Sequence, residues 1–404
     1  MTEFDAIVAG AGPAGATAAR LLARSGARVL LLDKARFPRE KPCGGGVTFR
    51  ADSANDLDLS PVTEREIYDI RISANLNRSF DRHSDVLLTR MTQRHRLDAF
   101  LAERAASAGA DFRDGLGLTA VDQDSSGVTV RTGGDAYRAS FMIGADGVNG
   151  VTARALGMRP AAEHAVALEA KYPLDSDLAH EWRTKLGLDL GGTPGGYCWV
   201  FPKGDHLNIG VGGWKSIGPT LRGRLDRYTH FQGLDPARLQ DHRGYQLPLR
   251  RDGEPAARGR VALAGDAAAL VDPLSGEGIW AAFVSGRLAA DEGLKLLAGE
   301  KLDLEGYATA LDDVMHDEIV ASRRLMSILQ RLPAITVLMV KYNGAFWRYL
   351  QQIIRGELTY PELMRKLGPL QSPLHRWADW EISRHRRDLE RASLRPPQSI
   401  SAEL

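Results

Sequence analysis

Apolar and polar positions divide the chain into three stretches of different period. Residues 4–33 read as strand, glycine turn, helix and strand. There is an apolar run at 4–9, an alanine-rich stretch at 14–24, Gly26 as a stop, and the unbroken run Val29-Leu30-Leu31-Leu32. A continuous four-residue apolar run is the pattern of a strand covered on both faces. Glycine just after the last helical turn is the preferred left-handed cap. A polar loop with Pro38, Pro42 and three glycines follows. The spacing predicts a helix over 94–107 ended by Gly109, strand alternation around 128–130, and a buried strand at 141–144. Between about 163 and 213 apolar and polar residues alternate as in β-strands, with Gly and Pro at the turns. Residues 261–264 read as another buried strand, and from about Gly276 onward the period is helical.

The length of 404 residues predicts two to three domains. With 44% apolar and 25% charged residues, the chain has the balance of a soluble globular protein. The 52 basic and 51 acidic residues nearly cancel, which argues against a general nucleic-acid binder. Two cysteines, Cys43 and Cys198, cannot build a disulfide framework for this size. Nor can they supply the four thiolates of an iron–sulfur cluster, and no metal centre is expected. Glu3 and Asp5 do not fit a secretory leader. No run reaches the ~18 apolar residues of a membrane span, so the expected compartment is the cytoplasm. Beyond Ala321 there are 14 Lys/Arg against 7 Asp/Glu. A solvated helical face explains that excess most simply, and a surface for anionic head groups is the second reading. Peripheral membrane contact therefore stays open. The tail from Leu394, with Pro396-Pro397, is expected to fray.

Gly10-Ala11-Gly12-Pro13-Ala14-Gly15 fits G-x-G-x-x-G between a strand and a helix, the context the motif requires. Gly10 permits the tight turn, Gly12 lets backbone approach a pyrophosphate, and Gly15 lets helix and strand pack closely. The helix N-terminus, with Ala14 in its first turn, offers N–H groups and partial positive charge to phosphates. Asp33, 18 residues after Gly15 and at the end of the second strand, suits ribose hydroxyls. Some 250 residues later comes Gly265-Asp266, then Pro273-Leu274-Ser275-Gly276-Glu277-Gly278-Ile279. Asp266 could accept from ribityl hydroxyls. The N–H groups of Gly278 and Ile279 could face the flavin edge where reduction places negative charge. A strand–turn–helix crossover with a capping aspartate is the plainer alternative. Gly144-Ala145-Asp146-Gly147 ends a further strand and serves equally as a turn or a cofactor contact.

With these three segments in this order, the chain resembles FAD-dependent oxidoreductases of the p-hydroxybenzoate hydroxylase type. Two more segments narrow the resemblance. Lys41-Pro42-Cys43-Gly44-Gly45-Gly46 and Gly196-Tyr197-Cys198-Trp199-Val200-Phe201-Pro202-Lys203-Gly204-Asp205 look like the K-P-C-G-G-G and Y-x-W-x-F-P-K-G-D segments of the geranylgeranyl reductase family. The resemblance runs from about residue 4 to 300. It implies that Gly12, Ala14 and Gly15 meet the pyrophosphate and Asp33 the adenosine ribose. It places Cys43, Gly44 and Gly46 against the flavin or its ribityl arm, and Arg94, four residues before Asp98, on FAD. Leu118 takes a backbone contact to adenine, while Asp266, Gly278 and Ile279 hold the ribityl chain and isoalloxazine. Cys198 has no implied role.

The implied fold is α/β: a Rossmann-type FAD-binding domain with an inserted antiparallel β-sheet substrate domain and C-terminal helices. The expected partition is 1–50, 90–160 and 255–300 for the FAD domain, 51–89 and 161–254 for the substrate domain, and 301–404 for the helices. The implied reaction is reduction of isoprenoid C=C bonds. Such alkenes carry no electron-withdrawing group, so hydride from reduced flavin must be matched by a proton on the other carbon. Cys43 is the catalytic candidate. A thiol of reference pKa ~8.5 is mostly protonated at neutral pH and could donate or position a water. A small packing residue in a glycine turn is the alternative. Tyr197, Trp199 and Phe201 share one face of a strand, either as an aromatic wall for a prenyl chain or as a sheet's core face; Tyr197 and Trp199 are the substrate-binding candidates. No second G-x-G-x-x-G supplies a nicotinamide domain. The electron donor is then transient: NADPH, a small redox protein or a reduced quinone. A flavin-dependent hydroxylase or halogenase, or an electron-transfer flavoprotein, would use the same scaffold.

Overall fold

The structure is a computed structural model and describes residues 2–158, 164–251, 253–366, 368 and 371–393. Its largest sheet runs Ala257–Arg258, Val261–Leu263, Ala136–Gly144, Thr2–Ala9, Val29–Leu32, Asp111–Arg113. The central pairs are parallel, and the Ala120–Asp124 and Gly127–Arg131 strands add to Ala136–Gly144 antiparallel. Helices Pro13–Arg24 and Ile279–Leu297 cover one face with small residues. They touch almost backbone to backbone: a Cβ on Gly286 would lie 2.3 Å from the Ala14 carbonyl oxygen. Ile7, Leu22, Leu30, Leu31 and Phe141 have no exposed surface. Each such side chain contributes roughly 1.5–3 kcal/mol when buried.

The second sheet orders Gln240–Pro248, His164–Pro173, His206–Trp214, Tyr197–Pro202, Lys185–Leu190, Asp69–Ala74, Asn77–His83. It is antiparallel except where Lys185–Leu190 runs parallel to Asp69–Ala74. Strand alternation sorts its side chains. Cys198, Val200, Leu207, Ile209 and Val211 go to the back and pack with Leu221, Leu225 and Tyr228 of helix Leu221–Phe231. The front carries a transverse row in register: Trp199 opposite Gly210, Gly210 opposite Glu169, Glu169 opposite Arg243. Gly210 is where the Trp199 ring lies, since a Cβ there would be 2.0 Å from Cζ2. A small three-stranded sheet (Gly46–Thr48, Thr89–Met91, Arg65–Ile67) and helices Glu305–Arg331, Pro333–Tyr342 and Gly344–Arg355 complete the surroundings. Val337, Val340 and Trp347 share one apolar cluster with Ile67, Ile70, Ile72 and Phe201.

The elements expected at 29–32 and 94–107 lie at those positions, and the helix expected near Gly278 starts at Ile279. The alternation from 163 to 213 is interrupted by a helix, Ser176–Glu181, which Asp175 caps through the Leu178 N–H. The tail beyond Leu394 lies outside the described residues.

Candidate functional site

Three chain segments converge where the two large sheets meet. The first is the glycine turn after the Thr2–Ala9 strand. Gly10 has φ +94°, and a Cβ on Gly15 would fall 1.8 Å from the Gly10 carbonyl oxygen. Both positions therefore exclude a side chain. Gly12 is the N-cap of helix Pro13–Arg24, with no side chain capping it and no acid in the first turn. Asp33 braces this turn, accepting the Ala11 N–H at 2.8 Å and the Ala35 N–H at 2.9 Å. Each oxygen keeps a lone pair for a further donor. Leu118 is partly buried just after Gly117, whose Cβ position is 3.2 Å from the Lys34 side chain. It thus sits beside the end of the Asp33 strand.

Over Gly12 stand two guanidiniums. Arg94 grips buried Asp98 bidentately at 2.8 Å, and Arg39 Nη1 reaches the same carboxylate at 2.9 Å. Burial opposes the charge on Arg94, but Asp98 and other nearby acids hold it firmly protonated. Arg39 Nε also lies 3.7 Å from Asp33, and Arg39 and Arg94 stand 3.4 and 3.8 Å from where a Gly12 Cβ would be. Arg39 is a site residue that the sequence reading passed over. It sits in the proline-rich loop, where no periodicity marks it.

The second segment is Cys43–Gly46. A Cβ on Gly44 would stand 2.7 Å from the Phe201 ring and 3.5 Å from Trp199 Nε1, so this turn lies flat on the sheet's aromatic front. Tyr197, Trp199 and Phe201 follow one another along that front, with ring centroids 6.0 and 6.1 Å apart. The Gly45 N–H donates to Cys43 Sγ at 3.3 Å, and the Cys43 N–H donates to Glu169 Oε1 at 3.0 Å. Lys203 Nζ, fully enclosed, donates to the Gly44 carbonyl at 2.6 Å. Burial pulls Lys203 down to about 8, and burial pushes Glu169 above the ordinary carboxylate range. Asn208 accepts from Trp199 Nε1 at 2.7 Å and fixes the ring. Lys203 continues the 197, 199, 201 alternation and was legible by that rule. Glu169 and Asn208 belong to other strands, and only register brings them here.

The third segment spans Asp266 to Ile279. Burial would raise Asp266, but Lys41 at 2.8 Å and nearby Arg94 outweigh it and keep the group ionised. Tyr197 Oη donates to the Ser275 carbonyl, and Thr48 Oγ1 donates to Glu277 Oε1 at 2.7 Å. Burial pushes Glu277 up to about 7. Helix Ile279–Leu297 begins at Gly278 with no side-chain cap and no acid in its first turn. Gly46 opens the small sheet opposite Met91. The candidates thus gather into one strip, running from Leu118 and Asp33 past Gly12 and Arg94 to Cys43, Tyr197, Trp199 and Gly278. Cys198 is excluded from it and buried on the far face of the sheet. Among the described residues, no group of His, Cys, Asp and Glu is disposed to hold a metal.

Residues 3–184 match the FAD binding domain family. Over 315 residues the chain is 32% identical to the geranylgeranyl diphosphate reductase of Rhodobacter capsulatus, across 75% of this chain and 78% of that one. The chain belongs to the geranylgeranyl reductase family of FAD-dependent oxidoreductases. A second relative, the menaquinone reductase of Mycolicibacterium smegmatis, is 32% identical over 311 residues, across 72% of this chain and 76% of that protein. The fold is shared with the geranylgeranyl bacteriochlorophyll reductase-like protein of Thermoplasma acidophilum (TM-score 0.71, 24% identity, 87% of this chain and 99% of that one).

The family's cofactor is FAD, and the residues present fit it. Two helix N-termini lack any protein cap, and backbone N–H groups with residual positive charge suit a diphosphate. Gly12 has no atom within 3 Å of its Cβ position, leaving the backbone open to close approach. Asp33 and Asp266 supply acceptors at two separated places for ribose and ribityl hydroxyls.

Proposed function

We propose that this protein reduces C=C bonds of a prenyl chain. The observation that carries the reading is the contact of the Cys43–Gly46 turn with the Tyr197–Trp199–Phe201 face, through the missing side chain of Gly44. One side of that junction belongs to the flavin strip, and the other is a row of aromatic side chains suited to a long apolar substrate. Geranylgeranyl diphosphate and menaquinone, in the names of the two relatives, are prenylated molecules and support the same class.

In this reading FAD, once reduced, supplies hydride, and the chain's own groups do the rest. Arg39, Arg94, Gly12, Ala14 and Gly15 bind the diphosphate. Asp33 and Leu118 hold the adenosine end, and Asp266, Gly278 and Ile279 hold the ribityl and ring. Tyr197 and Trp199 line the prenyl chain and exclude water, which protects a polarised alkene from side reaction. Cys43 stands beside the reacting bond, at the junction of turn and sheet. The electrons arrive from a transient donor, NADPH, a small redox protein or a reduced quinone. The substrate-facing part is the second sheet with the strands at 69–83.

The test is direct. The flavin is reduced with dithionite under argon, a geranylgeranyl lipid or a polyprenyl quinone is added, and product masses are read. Two hydrogens gained per reduced bond support the proposal. No gain, with rapid reoxidation in air or by quinone alone, refutes it in favour of an oxygenase or an electron carrier.

We further propose that the protein works against a membrane surface through helix Pro333–Tyr342. Of ten large apolar side chains exposed among the described residues, five are Leu332, Ile335, Leu338, Met339 and Tyr342. The last four recur at i, i+3, i+4 and i+7, one helical face, while Val337 and Val340 on the opposite face are buried. Residues 319–356 include six Lys/Arg and no Asp or Glu, which complements anionic head groups. No single described helix is long and apolar enough to cross a bilayer, and this one is bent by 97° from its predecessor. Sedimentation with anionic vesicles is expected to carry the wild type down at low salt and to leave an Ile335→Ser/Leu338→Ser variant in solution. Equal sedimentation of the two refutes the docking face.

A further inference from the structure

Reduction of an isolated alkene needs a proton as well as a hydride, and a buried carboxyl group stands at the Cys43 junction. We infer that Glu169 is the residue that gives this proton to the second alkene carbon, an assignment that rests on the prenyl-reduction reading. Glu169 lies on the front of the second sheet, in the row Trp199, Gly210, Glu169, Arg243 that faces the glycine turn. It is 6% exposed. Its Oε1 is taken by the Cys43 N–H at 3.0 Å. Its Oε2 is buried without a hydrogen bond of regular geometry, although the Asn208 side chain lies close enough to favour the ionised form. An ionised oxygen left that way costs several kcal/mol, whereas a carboxylic acid can aim its O–H at a substrate or a water.

The other proton carriers at the junction have regular partners. The Cys43 thiol accepts the Gly45 N–H and the Lys203 ammonium donates to the Gly44 carbonyl, whereas Glu169 keeps a buried oxygen without a regular one. The groups facing Glu169 are Cys43 from the turn, Asn208 and Lys203 from the central strands, and Arg243 and Tyr245 from the edge strand. Asn208, Lys203 and Arg243 favour the ionised form, and burial outweighs them. Glu169 shares a polar cleft with Lys171, His206, Asp241 and Arg243, and Asp241 is exposed. Through that cleft a spent carboxylate regains a proton from water.

The step balances. The alkene π bond opens, and one carbon takes the hydride given up by reduced flavin, which is left oxidised. The other carbon takes the Glu169 proton, and Glu169 is left as carboxylate until water reprotonates it.

Glu169→Gln is the informative change. Glutamine keeps an oxygen for the Cys43 N–H, so a merely structural role survives it, but it has no acid proton to give. With bound flavin intact and reduced normally by dithionite, E169Q is expected to slow prenyl reduction by roughly 10²- to 10⁴-fold. The fall in wild-type rate as pH rises through the Glu169 pKa should vanish in E169Q, and Glu169→Asp should recover part of the rate. Independently of turnover, infrared spectra at neutral pH should contain a carboxylic-acid C=O band that E169Q removes. An E169Q rate within about threefold of wild type, too small for loss of a general acid, overturns the assignment. So do spectra from which no acid band is lost. If the wild type reduces no prenyl chain, the wider reading fails, and the infrared band alone decides whether Glu169 carries the proton.

Discussion

Replacing Lys203 with methionine separates the cost of a buried charge from the contact that charge makes. Lys203 is 2% exposed, and burial lowers it from the ordinary 10.5 to about 8. That drop corresponds to about 3 kcal/mol spent in keeping the folded protein's ammonium charged below pH 8. Methionine has nearly the same length and no charge, so Lys203→Met removes that cost. It also strips the Gly44 carbonyl of its 2.6 Å donor, a loss of about 1–3 kcal/mol for a buried acceptor. Near neutral pH the two effects offset, and K203M should be about as stable as wild type. They part at higher pH. Between about 8 and 10.5 the unfolded chain still binds the lysine proton that the folded chain has released. Wild-type stability relative to K203M therefore rises through that window, by about 3 kcal/mol in all. Urea unfolding of both flavin-bound proteins, followed by tryptophan fluorescence from about pH 7 to 10.5, gives the difference directly. A difference that stays flat over that range would falsify the account of Lys203. So would one that falls, because it would mean that the folded protein holds the proton more tightly than the unfolded chain.

Two further outcomes follow from the same geometry. Gly210→Ala places a methyl 2.0 Å from the Trp199 ring and pushes the indole off its 2.7 Å bond to Asn208. It should cost about 1–3 kcal/mol and raise KM for a prenyl substrate while flavin content stays unchanged; an unchanged KM would remove Trp199 from the substrate wall. Burial pushes the Cys198 thiol up to about 12, on the far side of the sheet from the site. Iodoacetamide at neutral pH should therefore label Cys43 and spare Cys198 in the native protein, and Cys198→Ser should keep full activity. Labelling of Cys198 at the rate of Cys43, mapped by peptide mass, contradicts its burial.

Local features of the site were readable because short-range sterics impose them. The Gly10–Gly15 turn, the buried run at 29–32 and the helix at 94–107 are each specified by residues within a few positions, and each lies where the pattern placed it. The sharing of a face by Tyr197, Trp199 and Phe201 needed only the period of a strand. Arg39 escaped because it lies in a loop whose path is determined by Asp33 and Asp98, its partners at 3.7 and 2.9 Å. The helix Ser176–Glu181 escaped because it is only six residues long and rests on one aspartate cap.

By itself, then, the sequence determined the dinucleotide turn, the FAD-dependent class and the existence of an aromatic strand face, since each is written in neighbouring residues. Only the tertiary structure decided which face of the second sheet meets the flavin strip and what that face carries. Glu169, 126 residues from Cys43, reaches its N–H through a register that alternates side chains across four strands. A slip of one residue in the pairing of His164–Pro173 with His206–Trp214 would put Glu169 and Trp199 on opposite faces of the sheet. Strand pairing settles that choice by burying the alternate side chains Cys198, Val200, Leu207, Ile209 and Val211 beneath helix Leu221–Phe231, which leaves the other set to face the flavin strip.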